Sequence, residues 1–219
     1  MKKSTGPLTL FVRFVYIVWG LIMRIIYPPK IEYADAETKA LLKKSPCIII
    51  ANHTEHTDGY YLPQVLPGKK LYTYVTRKWY DKSKLNWLFC RLRYIPINLA
   101  DMDTEWLERG KTVIENGQSV LLFPEGKLTK DGTLSEFHPG FLMLARQTDA
   151  PIIPVALVGR YKKFRRKKII VGNPIETDLH SKGRPSVILR EQAAYCHSVV
   201  SEMLGIPDDV PAEVPPVEV

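Results

Sequence analysis

Short apolar runs alternate with amphipathic stretches along most of the chain. Cys47-Ile48-Ile49-Ile50-Ala51 is continuously apolar and stops abruptly at Asn52-His53-Thr54-Glu55-His56-Thr57-Asp58. A run of this kind reads as a buried strand delivering polar side chains to a sheet edge. Residues 71–76, 119–123, 152–157 and 167–172 read as further strands, rich in β-branched and aromatic residues or in apolar alternation. Tyr94-Ile95-Pro96-Ile97-Asn98 is a short extended piece whose proline suits an edge. Helices are predicted over 35–44, with Asp35 as N-cap and lysines in the last turn, and weakly over 59–66. The spacing of Leu85, Leu88, Phe89 and Leu92 predicts another over 83–93. Residues 103–116 form the clearest soluble helix, opening at Asp103 and stopping at Gly117. Helices over 139–148 and 186–204, the latter capped by Ser186, complete the pattern. Strands thus alternate with helices, which predicts a layered α/β domain with a mixed, mostly parallel sheet flanked by helices. Ligands of such sheets sit outside the carboxyl ends of the strands. The His/Asp block and the turn at Phe123-Pro124-Glu125-Gly126 both follow strands, so they are expected to share one crevice.

The amino terminus differs in character. Residues 8–27 are apolar except for Arg13 and Arg24. As a helix the segment would be roughly 30 Å long, enough to cross a bilayer core. The eleven-residue spacing returns the two arginines to nearly the same face. Two lysines before it and Pro28-Pro29 after it suit a helix lying in the membrane interface with snorkelling arginines. A true span, or a helix packed on the domain with its arginines in solvent, are the alternatives. The expected organisation is a membrane-associating helix over 1–30, an α/β domain over 31–205 and a disordered acidic, Pro-rich tail over 206–219.

The net charge sharpens this picture. The chain carries +8, and the body is +12 once the tail's −4 (Asp208, Asp209, Glu213, Glu218) is set aside. A body that basic favours an anionic membrane, nucleic acid or a phosphorylated or acidic ligand. Arg160 to Lys168 alone packs seven basic residues into nine. That run reads as contact with anionic headgroups, CoA phosphates or an acidic carrier protein, or else as a solvated loop. Nucleic acid is disfavoured, because no recognised binding motif accompanies the run. The three cysteines, Cys47, Cys90 and Cys196, show no CxxC spacing, which argues against a disulfide framework or zinc and for a reducing compartment.

The candidate chemistry lies in the His/Asp block. His53 and Asp58 are five residues apart, so a regular helix would not bring them together; a loop entering a helix would. Asp58 holding Nδ1–H would leave His53 Nε2 to take a proton from a hydroxyl. No activated Ser or Cys is evident nearby, so direct attack by a substrate hydroxyl on a thioester is the natural reaction. The spacing alone equally fits a loop histidine making local hydrogen bonds. A metal site of His53, His56 and Asp58 is a weaker alternative, since the sequence places no fourth ligand.

Here the sequence resembles a family. Asn52-His53-x4-Asp58 is similar to the first motif of the glycerolipid acyltransferases, among them the 1-acylglycerol-3-phosphate acyltransferases. Phe123-Pro124-Glu125-Gly126 resembles their third motif, and Ile153-Pro154-Val155-Ala156-Leu157-Val158-Gly159 their fourth. Order and spacing match, so the resemblance runs from about 46 to 175. It implies an acyltransferase-type fold and transfer of a fatty acyl group from acyl-CoA or acyl-carrier protein to a lysophospholipid. The leading acceptor is 1-acylglycerol-3-phosphate, giving phosphatidic acid. It further implies His53 as base, Asp58 as its orienting acid, the Glu125-Gly126 turn helping to hold the acceptor, and no metal or organic cofactor. Membrane association on the cytoplasmic face of the cell membrane follows. Where phosphate-using relatives read Ile-Pro-x-Asp-Arg, this chain has Ile95-Pro96-Ile97-Asn98-Leu99; where they often read Thr-Arg-Ser, it has Lys127-Leu128-Thr129. Lys127, or Arg91 and Arg93 just upstream, are therefore the candidates for the acceptor's phosphate, and Thr129 is a further candidate for binding substrate. A different lysolipid, a non-phosphorylated acceptor, a catalytically idle lipid-binding module and a metal-dependent hydrolase are the competing readings.

Overall fold

The computed structural model describes residues 7–206 other than 69, 78–79, 81–92, 99–103 and 130–132, with side chains in the first helix from residue 10 onward save 13. Helix α1 (Pro7–Ile26) leads into β1 (Pro29–Tyr33) and α2 (Ala36–Lys44). Then come β2 (Ile48–Ala51), α3 (Asp58–Val65), β3 (Leu71–Thr76), β4 (Tyr94–Ile97) and α4 (Glu105–Glu115). The chain closes with β5 (Ser119–Leu122), α5 (Gly140–Thr148), β6 (Ile152–Val158), β7 (Lys167–Val171) and α6 (Pro185–Leu204). Among the described residues, seven strands make one sheet in the order β1-β7-β6-β2-β5-β3-β4. From β6 to β4 every pairing is parallel; β7 pairs antiparallel to β6, and β1 joins β7 in parallel.

β2 lies at the centre because it has no polar side chain to keep in water. Its alternate residues face opposite layers. Ile48 and Ile50 pack with Leu107, Val113, Phe141, Leu144 and Cys196 from α4, α5 and α6. Ile49 and Ala51 pack with Met23, Leu42, Tyr61 and Leu62 from α1, α2 and α3. The sheet is thus sandwiched between two helical layers, as the alternation of elements predicts.

Local chemistry explains several boundaries. Asp35 caps α2 by accepting from Thr38 N at 2.6 Å. Pro63 lies inside α3 and has no N–H for the carbonyl of Gly59; Thr73 Oγ1 donates to that carbonyl instead, at 3.1 Å. Gly117, at φ 70°, ends α4, with its N–H bonded to Ile114 O and that of Gln118 to Val113 O. Pro96 sits on β4, an edge strand, where a missing N–H is tolerated.

Two expectations change. β1 is a strand that the apolar pattern does not announce. The cap expected at Ser186 is not used: α6 starts at Pro185, after an extended Arg184 and with no side-chain cap. Proline's fixed φ and absent donor suit the first helical position. Residues 83–92 of the predicted third helix, Asp103 and the tail from 207 lie outside the described residues.

α1 packs on α3 through its buried face, while Phe11, Phe14, Ile17, Leu21 and Ile25 stay exposed. Arg24 is exposed as well. No helix among the described residues is long and apolar enough to cross a membrane.

Candidate active site

β6, β2 and β5 are parallel neighbours, so the segments that leave them emerge at one edge of the sheet. Beyond β2 the chain turns through Asn52 and His53. Asn52 fastens this turn to β6, its Oδ1 accepting from Leu157 N at 2.7 Å and its Nδ2 donating to Leu157 O at 3.2 Å. On the other side the turn is fastened to the segment after β5. His53 N donates to Glu125 Oε1 at 2.7 Å, and Thr129 N donates to His53 O at 3.0 Å. The His53 ring stacks on Phe123, with centroids 4.2 Å apart and planes 17° from parallel.

The loop 54–57 then curls back so that Asp58, the first residue of α3, meets the histidine. His53 Nδ1 lies 3.0 Å from Asp58 Oδ2. The same oxygen accepts from Thr54 N at 2.7 Å and Glu55 N at 2.8 Å. Asp58 Oδ1 accepts from the Tyr161 hydroxyl at 2.7 Å. The carboxylate is wholly buried, whereas the His53 side chain keeps 20% of its exposure. The Thr54 hydroxyl adds longer contacts of 3.4 Å to both oxygens, and together these donors hold the buried carboxylate in place. They also leave few lone pairs for a metal ion. Among the described residues, no group of three or more His, Cys, Asp or Glu side chains is arranged to hold one.

Tyr161 is the residue that sequence reasoning missed. It follows the fourth motif and lies 103 positions from Asp58, so no local spacing links the two. Its ring is held edge-on by Tyr27, at 5.2 Å between centroids, and by Tyr61, at 5.4 Å. The Lys167 ammonium sits 4.3 Å from the centre of the ring and donates to Gly159 O. Burial, and secondly the negative charge of Asp58, push the Tyr161 hydroxyl far above its ordinary pKa. It is therefore a neutral donor at any ordinary pH. Burial pulls the Lys167 ammonium down, and the attraction of Asp58 and Glu55 opposes that.

The Phe-Pro-Glu-Gly turn is explained by the same geometry. Gly126 takes φ 65°, and its N–H closes the turn on Phe123 O at 3.1 Å. This buries the Glu125 carboxylate, which accepts from His53 N, from Ser135 N at 3.0 Å and from the Thr129 hydroxyl. Glu125 and Thr129 are thus tied into the support beneath His53. They do not line the adjoining cavity.

That cavity has a volume of about 770 Å³. His53, His56, Gly126 and Lys127 line it on the polar side, and Tyr74, Ile97, Trp106, Leu122, Phe123 and Phe141 are among its apolar walls. Arg93 is not among the lining residues. Its backbone takes φ 66° at the entry to β4, and its charge acts on the Tyr16 hydroxyl of α1. Arg91, also a candidate for the phosphate, lies outside the described residues. Burial pushes the Cys47 thiol up to about 11 and the Cys196 thiol up to about 12, so neither is a thiolate nucleophile near neutral pH.

The chain is 28% identical over 157 residues to 1-acyl-sn-glycerol-3-phosphate acyltransferase BAT2, chloroplastic, of Brassica napus, an overlap of 69% of this chain and 44% of that protein. It is 29% identical over 156 residues to a 1-acyl-sn-glycerol-3-phosphate acyltransferase of Limnanthes douglasii, covering 69% of this chain and 53% of the relative. The chain thus spans about half the length of these relatives. The crystal structure of the 1-acyl-sn-glycerophosphate (LPA) acyltransferase PlsC from Thermotoga maritima superposes with a TM-score of 0.57 at 19% identity, over 95% of this chain and 80% of that one. This likeness establishes a shared fold. The family model described as Acyltransferase matches residues 30–158, from the start of the sheet to the last residue of β6, and on that match the chain belongs to the acyltransferase family.

Proposed function

We propose that the chain transfers a fatty acyl group from a thioester, acyl-CoA or acyl-carrier protein, to the hydroxyl of a lysophospholipid at a membrane surface. The observation that carries this reading is the His53–Asp58 contact at the wall of a largely apolar cavity. With Nδ1 engaged by Asp58, His53 Nε2 takes the proton of the acceptor hydroxyl. The alkoxide attacks the thioester carbonyl, and the tetrahedral intermediate collapses by breaking the C–S bond. The departing thiolate takes the proton back from the imidazolium, leaving an ester, a free thiol and a neutral histidine. Asp58 stabilises the imidazolium while it exists, and Glu125 and Phe123 fix the ring's position. The acyl chain lies along the apolar wall; the cavity falls within the range of about 300–1,000 Å³ usual for small-molecule sites.

The acceptor is 1-acylglycerol-3-phosphate, as the names of the relatives suggest, and the product phosphatidic acid. Exposed Lys127, on the cavity wall, is the cation that meets the phosphate. α1 lies in the interface with its exposed apolar side chains in lipid, and the basic body favours the anionic cytoplasmic leaflet. The test is purified protein with radiolabelled acyl donor and a panel of lysolipids bearing phosphate, a zwitterionic headgroup or none. Label should enter phosphatidic acid fastest and survive a chelator. Absence of transfer to every lysolipid would refute the reading, and loss of turnover on chelation would favour a metal-dependent hydrolase.

A further inference from the structure

The loop between β6 and β7 carries a feature that acyl transfer does not use. Phe164 is 73% exposed, the most open of the large apolar side chains described. Its backbone takes φ 60°, a conformation that L side chains rarely adopt. Lys162 and Lys163 precede it, Arg165 and Arg166 follow it, and all four are exposed. The two remaining cations at the end of the run have other work. Lys167 is buried over Tyr161, and Lys168 pairs with Glu32 at 3.0 Å.

The loop is pinned, not trailing. Phe164 N donates to Ile26 O at 2.6 Å, Lys167 N to Pro28 O at 2.8 Å, and Arg165 N to Lys162 O at 3.0 Å. These bonds tie the backbone of Phe164 to the carboxyl end of α1, where Ile25 is itself 69% exposed. An exposed aromatic residue is thus held by its backbone beside the end of a helix whose apolar side chains are exposed, with two cations before it in sequence and two after. An apolar wedge ringed by cations matches a lipid interface with anionic headgroups: the ring enters the acyl boundary and the cations stay at the phosphates. An acidic protein would pair with the cations but would leave the aromatic tip and the adjoining helix end unexplained.

We propose that the β6–β7 loop is a second membrane-docking element, which inserts Phe164 and binds anionic headgroups through Lys162, Lys163, Arg165 and Arg166. The proposal takes the membrane reading of α1 for its orientation but does not depend on the acyl-transfer chemistry. The test is co-sedimentation of the full chain with vesicles of phosphatidylcholine alone, or with about a third of phosphatidylglycerol. The wild type should prefer the anionic vesicles, and added salt should erode that preference. Changing Lys162, Lys163, Arg165 and Arg166 together to Gln should remove the preference and lower partitioning on anionic vesicles by more than about a hundredfold. Phe164→Ala should lower partitioning on both vesicles by about tenfold, and Phe164→Leu should restore most of it. All three variants should melt with the wild type, since the side chains are exposed, and should keep acyl transfer in neutral detergent micelles. Failure of transfer with these vesicle results intact would sink only the enzymatic reading. Unchanged partitioning of the fourfold Gln variant and of Phe164→Ala would overturn the docking proposal. So would an effect confined to the KM for an acyl-carrier-protein donor, which would assign the loop to an acidic protein.

Discussion

Replacing Asp58 with Asn separates the charge of the carboxylate from its shape. Three short contacts converge on Oδ2 (from His53 Nδ1, Thr54 N and Glu55 N) and one, from the Tyr161 hydroxyl, on Oδ1, while the Thr54 hydroxyl lies 3.4 Å from both oxygens. An asparagine can face its amide oxygen to the three donors and its NH₂ to Tyr161, whose hydroxyl turns round to accept. The loop and the histidine tautomer are then kept, and the cost to folding is limited to charge-assisted bonds becoming neutral ones, about 1–3 kcal/mol. What disappears is the anion beside the imidazolium. A unit pair at about 4 Å, with an effective dielectric near 20, interacts by about 4 kcal/mol. If most of that is felt in the transition state, kcat falls by about 10³-fold, with little change in KM for either substrate. The assay is thiol release with saturating donor and acceptor, alongside a thermal melt. Asp58→Ala is the contrast, because it leaves the buried N–H groups of Thr54 and Glu55 without their acceptor and should melt early as well as lose turnover. A folded Asp58→Asn protein turning over within tenfold of wild type would refute the pairing.

Tyr161→Phe keeps the ring and removes the hydroxyl that bonds Asp58 Oδ1; kcat should drop about five- to thirtyfold at near-constant KM, a bond to a charged group being worth about 1–2 kcal/mol here, and an unchanged kcat would make Tyr161 a packing residue. Lys127→Ala should raise the KM for a phosphorylated acceptor by about tenfold and leave that for the donor alone, as steady-state kinetics with each substrate varied will tell. Gly68→Ala should destabilise the fold by roughly 2–4 kcal/mol by denaturant titration, since Gly68 sits at φ 120° and a Cβ there would lie 2.0 Å from Leu42 O. Changing Phe11 and Phe14 to Asp should move the protein from the membrane to the soluble fraction on ultracentrifugation, because each exposed ring contributes about 1.5–3 kcal/mol when buried in lipid.

The sequence announced what depends on near neighbours. The run 47–51 reads as a buried strand because every residue is apolar, and it is central for that reason. The meeting of His53 with Asp58 needs only a loop entering a helix, which the polar block and Gly59 allow. The Phe-Pro-Glu-Gly turn is legible because Pro and Gly each suit one position of it. What stayed hidden depends on distant partners. β1 has two charged residues in five and becomes a strand by pairing with β7, over a hundred residues away. Tyr161 reaches Asp58 only because β6 lies beside β2 in the sheet. Glu125 is placed by the resemblance with the acceptor, yet its carboxylate is consumed by backbone donors under His53. A motif names the residue that matters without saying which of its neighbours it touches.

Acyl transfer here depends on the imidazole of His53 taking the acceptor's proton. The decisive assay is single-turnover acyl transfer from a radiolabelled donor to 1-acylglycerol-3-phosphate, by wild type and His53→Ala at equal folded concentration. The variant should still bind donor but form labelled phosphatidic acid at least about 10³-fold more slowly. A variant transferring at near the wild-type rate would contradict that dependence.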